Sequence, residues 1–415
     1  MSTTKAADYS AIALPQAWGD ERNFYALLDG MRRDDPVVWL EPEGFRPFWA
    51  VTRHADIMEI ERQNEKFHNW PRPVLQSIAQ EEAVRAFTGG SEVLLRTLIH
   101  MDNPDHRVFR AISQDWFQPR NLNKLQEGIA DLAKRTVDRM AEKQDCDFVS
   151  EVALPYPLHV ILMILGAPES DGPMMMKLTQ ELFAPADPDA EQQDKALTDM
   201  STIEQAFAYF TQMTEDRRAT PRDDMASVIA NARIGGEYMN HLEVMSYYMI
   251  IVTAGHDTTS SSTSGGLLAM IRHPDQFERL KADPSLLNAA VDEMIRWSTP
   301  VKHFMRTAAE DYTLRGKTIR KGDTVMLLYH AANRDEDAFA DPLAFRIDRA
   351  PNRHLAFGYG PHLCLGQYLA KMEMRALFAE LLPRLEHVEL AGDPALVQSS
   401  FVSGLKRLPI RYRIR

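Results

Sequence analysis

The sequence predicts a mainly α-helical fold with small β-sheets, an α+β class. Apolar residues recur at helical spacing over several long stretches, whereas the β-rich runs are few and short. No low-complexity run, internal repeat or linker-like stretch divides the 415 residues, of which 45% are hydrophobic. We therefore expect one domain over residues 1–415, β-richer at about 30–60 and with a helical core at about 100–300 and 365–385.

Short β-rich runs near the N-terminus predict a hairpin. Residues 36–40 and 47–52 are rich in Val, Trp and Phe, and the turn-forming Pro42 and Gly44 lie between them. Short strands are also predicted at 312–319 and 324–328, where Gly316 and Gly322 interrupt the pattern.

Helices are predicted where apolar residues recur every three or four positions. One amphipathic helix spans about 122–140, and an almost wholly apolar one spans 158–165 and ends at Gly166. A long helix is predicted from about His241 to Ile271; at 1.5 Å per residue its length is roughly 45 Å, enough to cross a domain. Further helices are predicted at 287–295 and after residue 366, and the Pro/Asp/Ala segment 184–190 is predicted to be a mobile loop.

Composition argues against several classes of function. A net charge of −12 disfavours nucleic acid as a general partner. The first thirty residues lack the apolar core of a signal peptide, and no run of about 18 apolar residues predicts a membrane-spanning helix. Two cysteines are too few for a disulfide framework and fit a reducing cytoplasm, where we expect the protein. One of them, Cys146, is predicted to be an ordinary structural residue.

The other cysteine lies in a glycine-rich loop directly before a predicted helix. Gly358, Gly360 and Gly366 surround Cys364. A sulfur at a helix N-terminus faces free backbone N–H groups and the positive end of the helix dipole, which favours thiolate over thiol. Glycines allow backbone angles and close approaches that a side chain blocks. The loop is therefore suited to present one thiolate to a metal while a flat cofactor lies against its backbone.

Other roles for Cys364 fit the sequence less well. A buried structural cysteine needs no glycine framework, and a zinc site needs further ligands at Cys/His spacing, which the distant Cys146 does not supply. Composition permits a Cys–His hydrolase because thirteen histidines are present, but nothing marks one of them as the base. Leu363 stands where a dinucleotide fingerprint requires its third glycine. The remaining interpretation is axial thiolate ligation of a haem iron.

These residues also resemble a family signature. The pattern Phe357-Gly-x-Gly-x-His362-x-Cys364-x-Gly366 is similar to the haem-ligand motif of the cytochrome P-450 family, and three further family motifs precede it in the expected order. The resemblance implies the cytochrome P-450 fold and haem b (iron protoporphyrin IX) with Cys364 as the iron ligand. It further implies cofactor contacts from Phe357, Gly358, His362 and Gly366, and a soluble bacterial type of monooxygenase.

Residues 254–259, in the middle of the predicted long helix, form the second motif. Glycine and consecutive threonines weaken a helix, and Thr258 can bond to the carbonyl of Ala254 and open a groove. Taken alone, the segment is equally good helix-capping chemistry, but helical apolar spacing on both sides argues against a helix start. It resembles the family's oxygen-handling motif. Thr258 is then expected to donate to dioxygen, Asp257 to relay protons, and Ala254 and Gly255 to contact the cofactor.

A charged pair precedes the cysteine loop in the chain. Glu293 and Arg296 lie three residues apart on one predicted helix face, a spacing that in isolation usually marks a surface pair. Its position relative to Cys364 resembles the family's structural Glu-x-x-Arg motif. The resemblance makes Arg349 the third member of an ion network that holds the cysteine loop in place.

Haem carries two propionates, which require cationic or donor groups when the cofactor is buried. The resemblance assigns this role to His106, Arg110, Arg306 and His362. His106 and Arg110 alone would fit a solvated helix face, but the preceding residues 101–104 match the family's approach to this helix.

The resemblance is strongest to soluble bacterial members that hydroxylate monoterpenes. It implies insertion of one oxygen atom of O2 into a C–H bond of a compact hydrophobic substrate, such as a monoterpene, an alkylbenzene or a small aromatic. By family position, the substrate pocket comprises Ile250, Thr253, Val301, Phe304 and Phe401. Taken individually, each of these residues is also explained by packing in the hydrophobic core.

Electrons are expected from outside the chain, because the haem-domain pattern leaves no room for a flavin or iron–sulfur module. The expected donors are a small acidic ferredoxin and its NAD(P)H-dependent reductase. The candidate docking residues for this ferredoxin are Arg107, Arg120, Arg353, Lys371 and Arg375. Scattered surface charge explains these residues equally well. A peroxide-driven peroxygenase, which needs no proton relay, and a non-catalytic haem sensor, which usually carries an output domain, are the alternative functions.

Overall fold

The computed structural model describes residues 8–183 and 201–415, so the predicted loop at 184–190 lies outside the described residues. The α-helices of these ranges are α1 Glu21–Asp34, α2 His54–Glu61, α3 Ile78–Thr88, α4 Asp105–Gln114, α5 Pro119–Leu122, α6 Gln126–Ala141, α7 Pro155–Leu165, α8 Gly172–Phe183, α9 Ser201–Ala219, α10 Met225–Ala230, α11 His241–Arg272, α12 Pro274–Ala282, α13 Leu287–Ser298, α14 Tyr329–Ala332 and α15 Gln367–Arg384. Short 3-10 turns lie at Ser10–Ala13, Pro15–Gly19, Leu98–His100, Asn123–Leu125, Glu169–Asp171, Pro284–Leu286 and Gly360–His362, and a π-helical turn lies at Val149–Ala153.

The strands are short, as predicted. They are β1 Val37–Leu40, β2 Phe48–Val51, β3 Phe67–His68, β4 Asp145–Asp147, β5 Arg233–Ile234, β6 Glu237–Tyr238, β7 His303–Ala308, β8 Tyr312–Leu314, β9 Lys317–Ile319, β10 Thr324–Leu328, β11 Leu385–Leu390, β12 Ala395–Leu396, β13 Leu405–Arg407 and β14 Pro409–Ile414. The predicted N-terminal hairpin is confirmed, with Val38 of β1 opposite Ala50 of β2. In the largest sheet, of order β1-β2-β10-β7-β3, β10 runs parallel to β2 and antiparallel to β7.

The predicted long helix is confirmed as α11, which crosses the helical core. It begins with a capping box, in which Asn240 and Glu243 bond to each other's backbone N–H groups. Its 32 residues are mostly buried, and it packs against α7 and α13. At 1.5 Å per residue it is about 48 Å long. This helix therefore carries residues 254–259 into the interior.

Two other helices show how local sequence sets their ends. The apolar helix α7 ends at Gly166, whose φ of +64° is in the left-handed region; a Cβ there would lie 2.3 Å from Asp224 Oδ2. The predicted helix at 122–140 is divided, because a 3-10 turn at Asn123–Leu125 separates α5 from α6.

Three hydrophobic clusters form the interior. The largest lies among the helices around α7, α11 and α13, and the two smaller ones pack on the β1–β10 sheet. The predicted fold class, mainly α with small sheets, is confirmed. Among the described helices, none combines the length and apolarity that crossing a bilayer requires.

Candidate active site

The Cys364 loop closes directly onto a helix N-terminus. A 3-10 turn at Gly360–His362 precedes the cysteine, and α15 follows with Gly366 at its N-cap. The Cys364 N–H donates to the Phe357 carbonyl over 2.9 Å. The backbone N–H groups of Gly366 and Gln367 lie near its sulfur and lower the pKa of the thiol. The free N–H groups of α15 therefore face the sulfur, as the sequence predicted.

Burial nevertheless raises the pKa of the Cys364 thiol above its ordinary value. The backbone hydrogen bonds and the charge of Arg110 lower this pKa, but the cost of removing a thiolate from water outweighs them. The N–H groups at the helix N-terminus therefore favour thiolate, as predicted, but burial outweighs them. A metal ion reverses this balance, because a coordinated thiol loses its proton.

The loop glycines serve two purposes. Gly358 and Gly360 have φ of +70° and +69°, and a Cβ on Gly360 would lie 2.4 Å from the Glu61 carbonyl oxygen. Gly366 has an ordinary φ of −85°. Beyond its chain neighbours, no described heavy atom lies within 4 Å of where its Cβ would be. This open space beside the sulfur fits a flat cofactor lying against the loop.

The four side chains predicted to hold propionates converge beside this loop. His106 and Arg110 lie on α4, Arg306 lies on β7, and His362 lies in the loop itself. The ring centroids of His106 and His362 are 3.9 Å apart. Arg110 Nη2 donates to the Leu363 carbonyl over 2.7 Å. The structure thus brings all four groups together from three separate segments.

This cluster is electropositive. Burial, together with the nearby charges of Arg110 and Arg306, lowers the pKa of His106 to about 4 and that of His362 to about 2. Both imidazoles are therefore neutral at neutral pH, while the two arginines keep their charge. A pair of carboxylates placed here would be stabilised, so this donor set fits the two propionates of haem.

Sequence reasoning missed Glu61, the last residue of α2. Its Oε1 accepts from Arg306 Nη2 over 3.0 Å and from the Tyr329 hydroxyl over 2.7 Å. Burial raises the pKa of Glu61 to about 7, although Arg306 opposes the shift. Glu61 therefore restrains the Arg306 guanidinium. No local pattern marks this role, because the two residues meet only through the fold.

The predicted oxygen-handling segment lies inside α11, which runs through it without interruption and so excludes a helix cap there. The Thr258 hydroxyl donates to the Ala254 carbonyl over 2.8 Å, as predicted. Ala254 is exposed although Thr253 beside it is buried. A Cβ on Gly255 would lie 2.5 Å from Ile161 Cδ1 of α7. The face of α11 with Ala254 is thus open, while Gly255 permits close packing on α7.

Asp257 is suited to hold a proton. Burial raises the pKa of its carboxyl to about 7, so both protonation states are populated at neutral pH. The neighbouring His256 Nε2–H donates to the Leu154 carbonyl over 3.0 Å, which leaves a lone pair on Nδ1. This Nδ1 lies 3.4 Å from Asp257 Oδ1.

The predicted ion network is present and buried. Arg296 Nε and Nη2 donate to the Glu293 carboxylate over 2.7 and 2.8 Å, and Arg349 Nε donates to it over 3.0 Å. Asn352, in the segment that leads to the Cys364 loop, adds a bond of 3.2 Å. The network thus joins α13 to the chain before the cysteine.

Replacing Glu293 with alanine is expected to lower the free energy of unfolding by about 3–5 kcal/mol, because it leaves two buried guanidinium groups without their carboxylate. Urea unfolding followed by circular dichroism measures the loss. The control is Glu386→Ala, whose ion pair with Arg413 is exposed; a loss of about 1 kcal/mol or less is expected there. Equal losses in the two variants would contradict the role assigned to the network.

A model of one protein family matches most of the chain. Its description is cytochrome P450, and the match runs over residues 92–413, which include the Cys364 loop, the α11 segment and the ion network. The chain belongs to the cytochrome P450 family. Among its described residues, no group of three or more His, Cys, Asp or Glu side chains forms a candidate site for another metal ion.

Individual relatives of this cytochrome P450 match it over nearly their whole length. Cytochrome P450-terp from a Pseudomonas species is 42% identical over 97% of this chain and 96% of its own. A steroid C26-monooxygenase of Mycolicibacterium smegmatis is 31% identical over 93% of this chain and 90% of its own. The crystal structure of CYP108D1 from Novosphingobium aromaticivorans superposes with a TM-score of 0.92 at 42% identity, covering 99% of both chains. This cytochrome P450 is therefore a monooxygenase, an oxidoreductase with a haem-thiolate cofactor.

Three of the five predicted pocket residues form one wall. The rings of Phe304 and Phe401 are 5.5 Å apart at their centroids. Val301 pairs with Val402 in an isolated β-bridge, which joins β7 and the loop that carries Phe401. The other two, Ile250 and Thr253, lie on α11. Thr253 is buried, and its hydroxyl donates to the Met249 carbonyl over 2.7 Å.

His303 fixes this wall and was not predicted. The ring is fully buried; Nδ1–H donates to the Ser400 carbonyl over 2.7 Å, and Nε2 accepts from the Leu75 N–H over 3.1 Å. Burial lowers the pKa of His303 to about 4, so that this neutral tautomer persists at neutral pH. The imidazole thereby joins β7 to two loops.

The predicted docking residues fall into two groups. Arg107, Arg120 and Arg353 are exposed. Lys371 instead forms an ion pair of 2.6 Å with Asp292, and Arg375 donates to the Asn288 side chain over 3.1 Å. Intramolecular contacts thus engage the last two side chains, leaving the three arginines as the better candidates for a partner.

Proposed function

We propose that residues 1–415 form a single haem-thiolate monooxygenase domain that hydroxylates a compact hydrophobic substrate, such as a monoterpene, an alkylbenzene or a small aromatic. The observation that carries this proposal is the aromatic wall of Phe304 and Phe401. The small Ala254 on the open face of α11 provides room for a substrate. The 42% identity with cytochrome P450-terp over nearly the whole chain supports the same class.

The proposed cofactor is haem b. Cys364 would ligate its iron, Gly358 and Gly366 would allow the macrocycle to lie against the loop, and His106, Arg110, Arg306 and His362 would hold its propionates. Phe357, Ala254 and Gly255 are proposed to complete the cofactor contacts, Gly255 through its backbone, because the position of its missing Cβ faces Ile161 of α7. When bound, this haem supplies the chemistry by which R–H, O2, two electrons and two protons give R–OH and water.

The chain's own contribution is to position groups and move protons. Asp257 takes a proton from solvent and passes it toward the Thr258 hydroxyl, which orients it at the reaction site. The Thr258 bond to Ala254 fixes the direction of that hydroxyl. A peroxygenase has no need of such a relay, so the pair Asp257 and Thr258 favours the dioxygen route.

Substrate class is tested by spectral titration of the haem-loaded protein. A monoterpene alcohol or an alkylbenzene is expected to convert the low-spin to the high-spin spectrum at concentrations at least tenfold below those of a sterol or a long fatty acid. Phe401→Ala is expected to weaken binding by roughly ten- to a hundredfold, because it removes roughly 1.5–3 kcal/mol of apolar burial. The control variant is Leu390→Ala, at an exposed position. A response to sterols or fatty acids alone would contradict the proposed class.

Electrons are proposed to come from a small acidic ferredoxin and its NAD(P)H-dependent reductase, which dock beside the exposed Arg107, Arg120 and Arg353. Arg120→Glu and Arg353→Glu are expected to slow reduction by the ferredoxin several-fold at low salt, because each charge reversal weakens electrostatic steering. Stopped-flow reduction at increasing ionic strength measures the effect. Arg233→Glu, on the β5–β6 hairpin, is the control. Unchanged rates and salt dependence would contradict docking at these arginines.

A cytoplasmic location is proposed on the cysteine chemistry. The chain has two cysteines, and both are free thiols. A reducing compartment keeps such thiols available for metal ligation.

A further inference from the structure

A cavity of about 510 Å³ lies beside Lys302, the residue that follows the proposed pocket residue Val301 in the chain. Its lining comes from the start of α1, the second half of α11, the end of α13 and residues 394–406, and it contains neither Cys364 nor Asp257. Lys302 lines the cavity, and its backbone N–H donates to the Phe401 carbonyl over 2.8 Å. The cavity is therefore separate from the proposed reaction site. The backbone contact between Lys302 and Phe401 links the two.

The Lys302 side chain at this cavity is buried and has no ion-pair partner among the described residues. Lys302 is 4% exposed, and its Nζ donates to the carbonyls of Ser298 and Thr299 over 3.1 and 3.0 Å. Among the described residues no carboxylate lies within ion-pair distance of it. Burial and the charge of Arg334 lower the pKa of Lys302 to about 7, although Glu21 opposes the shift. A carboxylate brought to this position would offset the cost of burying the charge.

Neighbouring groups add to the positive character. Arg334, 2% exposed, donates to the Tyr25 hydroxyl and the Trp297 carbonyl, and within the described chain it has no carboxylate partner either. His330 lines the cavity, and its two ring nitrogens have no hydrogen-bond partner among the described protein atoms. Burial lowers the pKa of His330 well below its ordinary value, and the charges of Arg334 and Lys302 lower it further.

The carboxylates that line the cavity are already engaged. Asp20 caps α1 by accepting from the backbone of Arg22 and Asn23. Glu21 forms an ion pair of 2.9 Å with Arg272. The charge of Glu21 still raises the pKa of Lys302 from beyond ion-pair distance, so the described residues compensate the ammonium only in part.

Polar and apolar groups share the remaining lining about equally. Phe24, Leu268, Trp297 and Leu396 line the cavity, and the volume suffices for a small organic molecule. Lys302 Nζ lies 6.0 Å from the centroid of the Phe24 ring, so the charged and apolar surfaces adjoin. A ligand that matches both has one carboxylate and a compact apolar body.

We propose that this cavity binds a small organic carboxylate, with its carboxylate on the Lys302 ammonium and its apolar body against Trp297, Leu268 and Leu396. An inorganic anion matches the charge but leaves the apolar lining without contacts. The haem pocket lacks this feature, because no buried lysine belongs to its proposed wall.

Isothermal titration of the haem-loaded protein with sodium benzoate tests the proposal, at constant ionic strength maintained with sodium chloride. One saturable site is expected. Lys302→Met is expected to weaken it at least tenfold; this variant should fold, because replacing a buried charge by an apolar side chain of similar volume is often neutral or stabilising. Ala269→Leu, which fills part of the cavity without changing charge, is expected to weaken binding similarly.

The control is Lys321→Met, which removes one exposed lysine outside the cavity and should leave benzoate binding unchanged. Absence of saturable binding overturns the proposal, and so does binding that is undiminished in Lys302→Met. A benzoate titration that shifts the haem spectrum and persists in Lys302→Met assigns the anion to the haem pocket instead and overturns it as well. Inorganic phosphate is titrated in parallel; Lys302-dependent phosphate binding without benzoate binding overturns the organic carboxylate as the ligand class.

Discussion

Replacing Cys364 with serine is expected to remove the strongly red-shifted Soret band of the reduced carbon monoxide complex and to lower product formation by on the order of a thousandfold or more. An alcohol in place of the sulfur does not supply the thiolate that donates electron density to iron. The geometry of the loop should survive, because the Cys364 N–H bond to the Phe357 carbonyl involves only the backbone. Difference spectroscopy and product analysis measure the two losses.

The chain offers a matched control in Cys146, its only other cysteine. Cys146 is buried on β4, and burial raises the pKa of its thiol to about 12, so it is an inert structural group. Cys146→Ser is expected to keep the red-shifted band and to affect stability alone. A band that persists in Cys364→Ser, or one that disappears in Cys146→Ser, would refute the assignment of the iron ligand.

Replacing Asp257 with asparagine is expected to lower the rate of product formation by on the order of 10²–10⁴-fold, the usual contribution of a positioned proton donor.

Thr258→Ala is expected to act differently: NADH consumption continues, but most of it no longer yields product, because the hydroxyl that orients the proton is absent. Comparing NADH consumed with product formed separates the two effects. Thr263→Val, which removes another buried hydroxyl from α11, is the control and should change neither.

The pH dependence follows from the raised pKa of Asp257. The carboxyl holds its proton below a pH of about 7 and loses it above, so the part of the rate that depends on this proton falls as the pH rises through about 7. Asp257→Asn has no such group and should give a flatter profile over the same range. A profile that is identical in wild type and Asp257→Asn would assign the proton donor to another residue.

Local sequence predicted most of the candidate site because its chemistry is concentrated in short segments. The glycines around Cys364 and the helix after them identify a ligand loop within ten residues. Thr258 and Ala254 lie one helical turn apart, so their hydrogen bond follows from helix geometry alone. The same holds for Glu293 and Arg296, whose spacing places them on one face.

Contacts between distant segments could not be predicted in this way. Glu61 reaches Arg306 from another part of the chain, and His303 contacts two loops that no periodicity relates to it. The engagement of Lys371 by Asp292 likewise depends on how α15 packs beside α13. Each of these contacts determines whether a charged or polar side chain is held by another residue of the chain or is free to bind a partner. A local sequence pattern contains no information on such distant contacts.

The sequence by itself determined the fold class and the Glu293–Arg296 pair, and it predicted Cys364 as the iron ligand and residues 254–259 as the oxygen-handling segment, because each depends on residues at fixed short spacing or on a distinctive residue type. Only the tertiary structure decided the protonation energetics: it raises the pKa values of Cys364, Asp257 and Glu61 and lowers that of Lys302. The physical reason is desolvation. The free energy of an ionised group depends on how completely the whole fold removes it from water, and that depth is set by packing among distant segments.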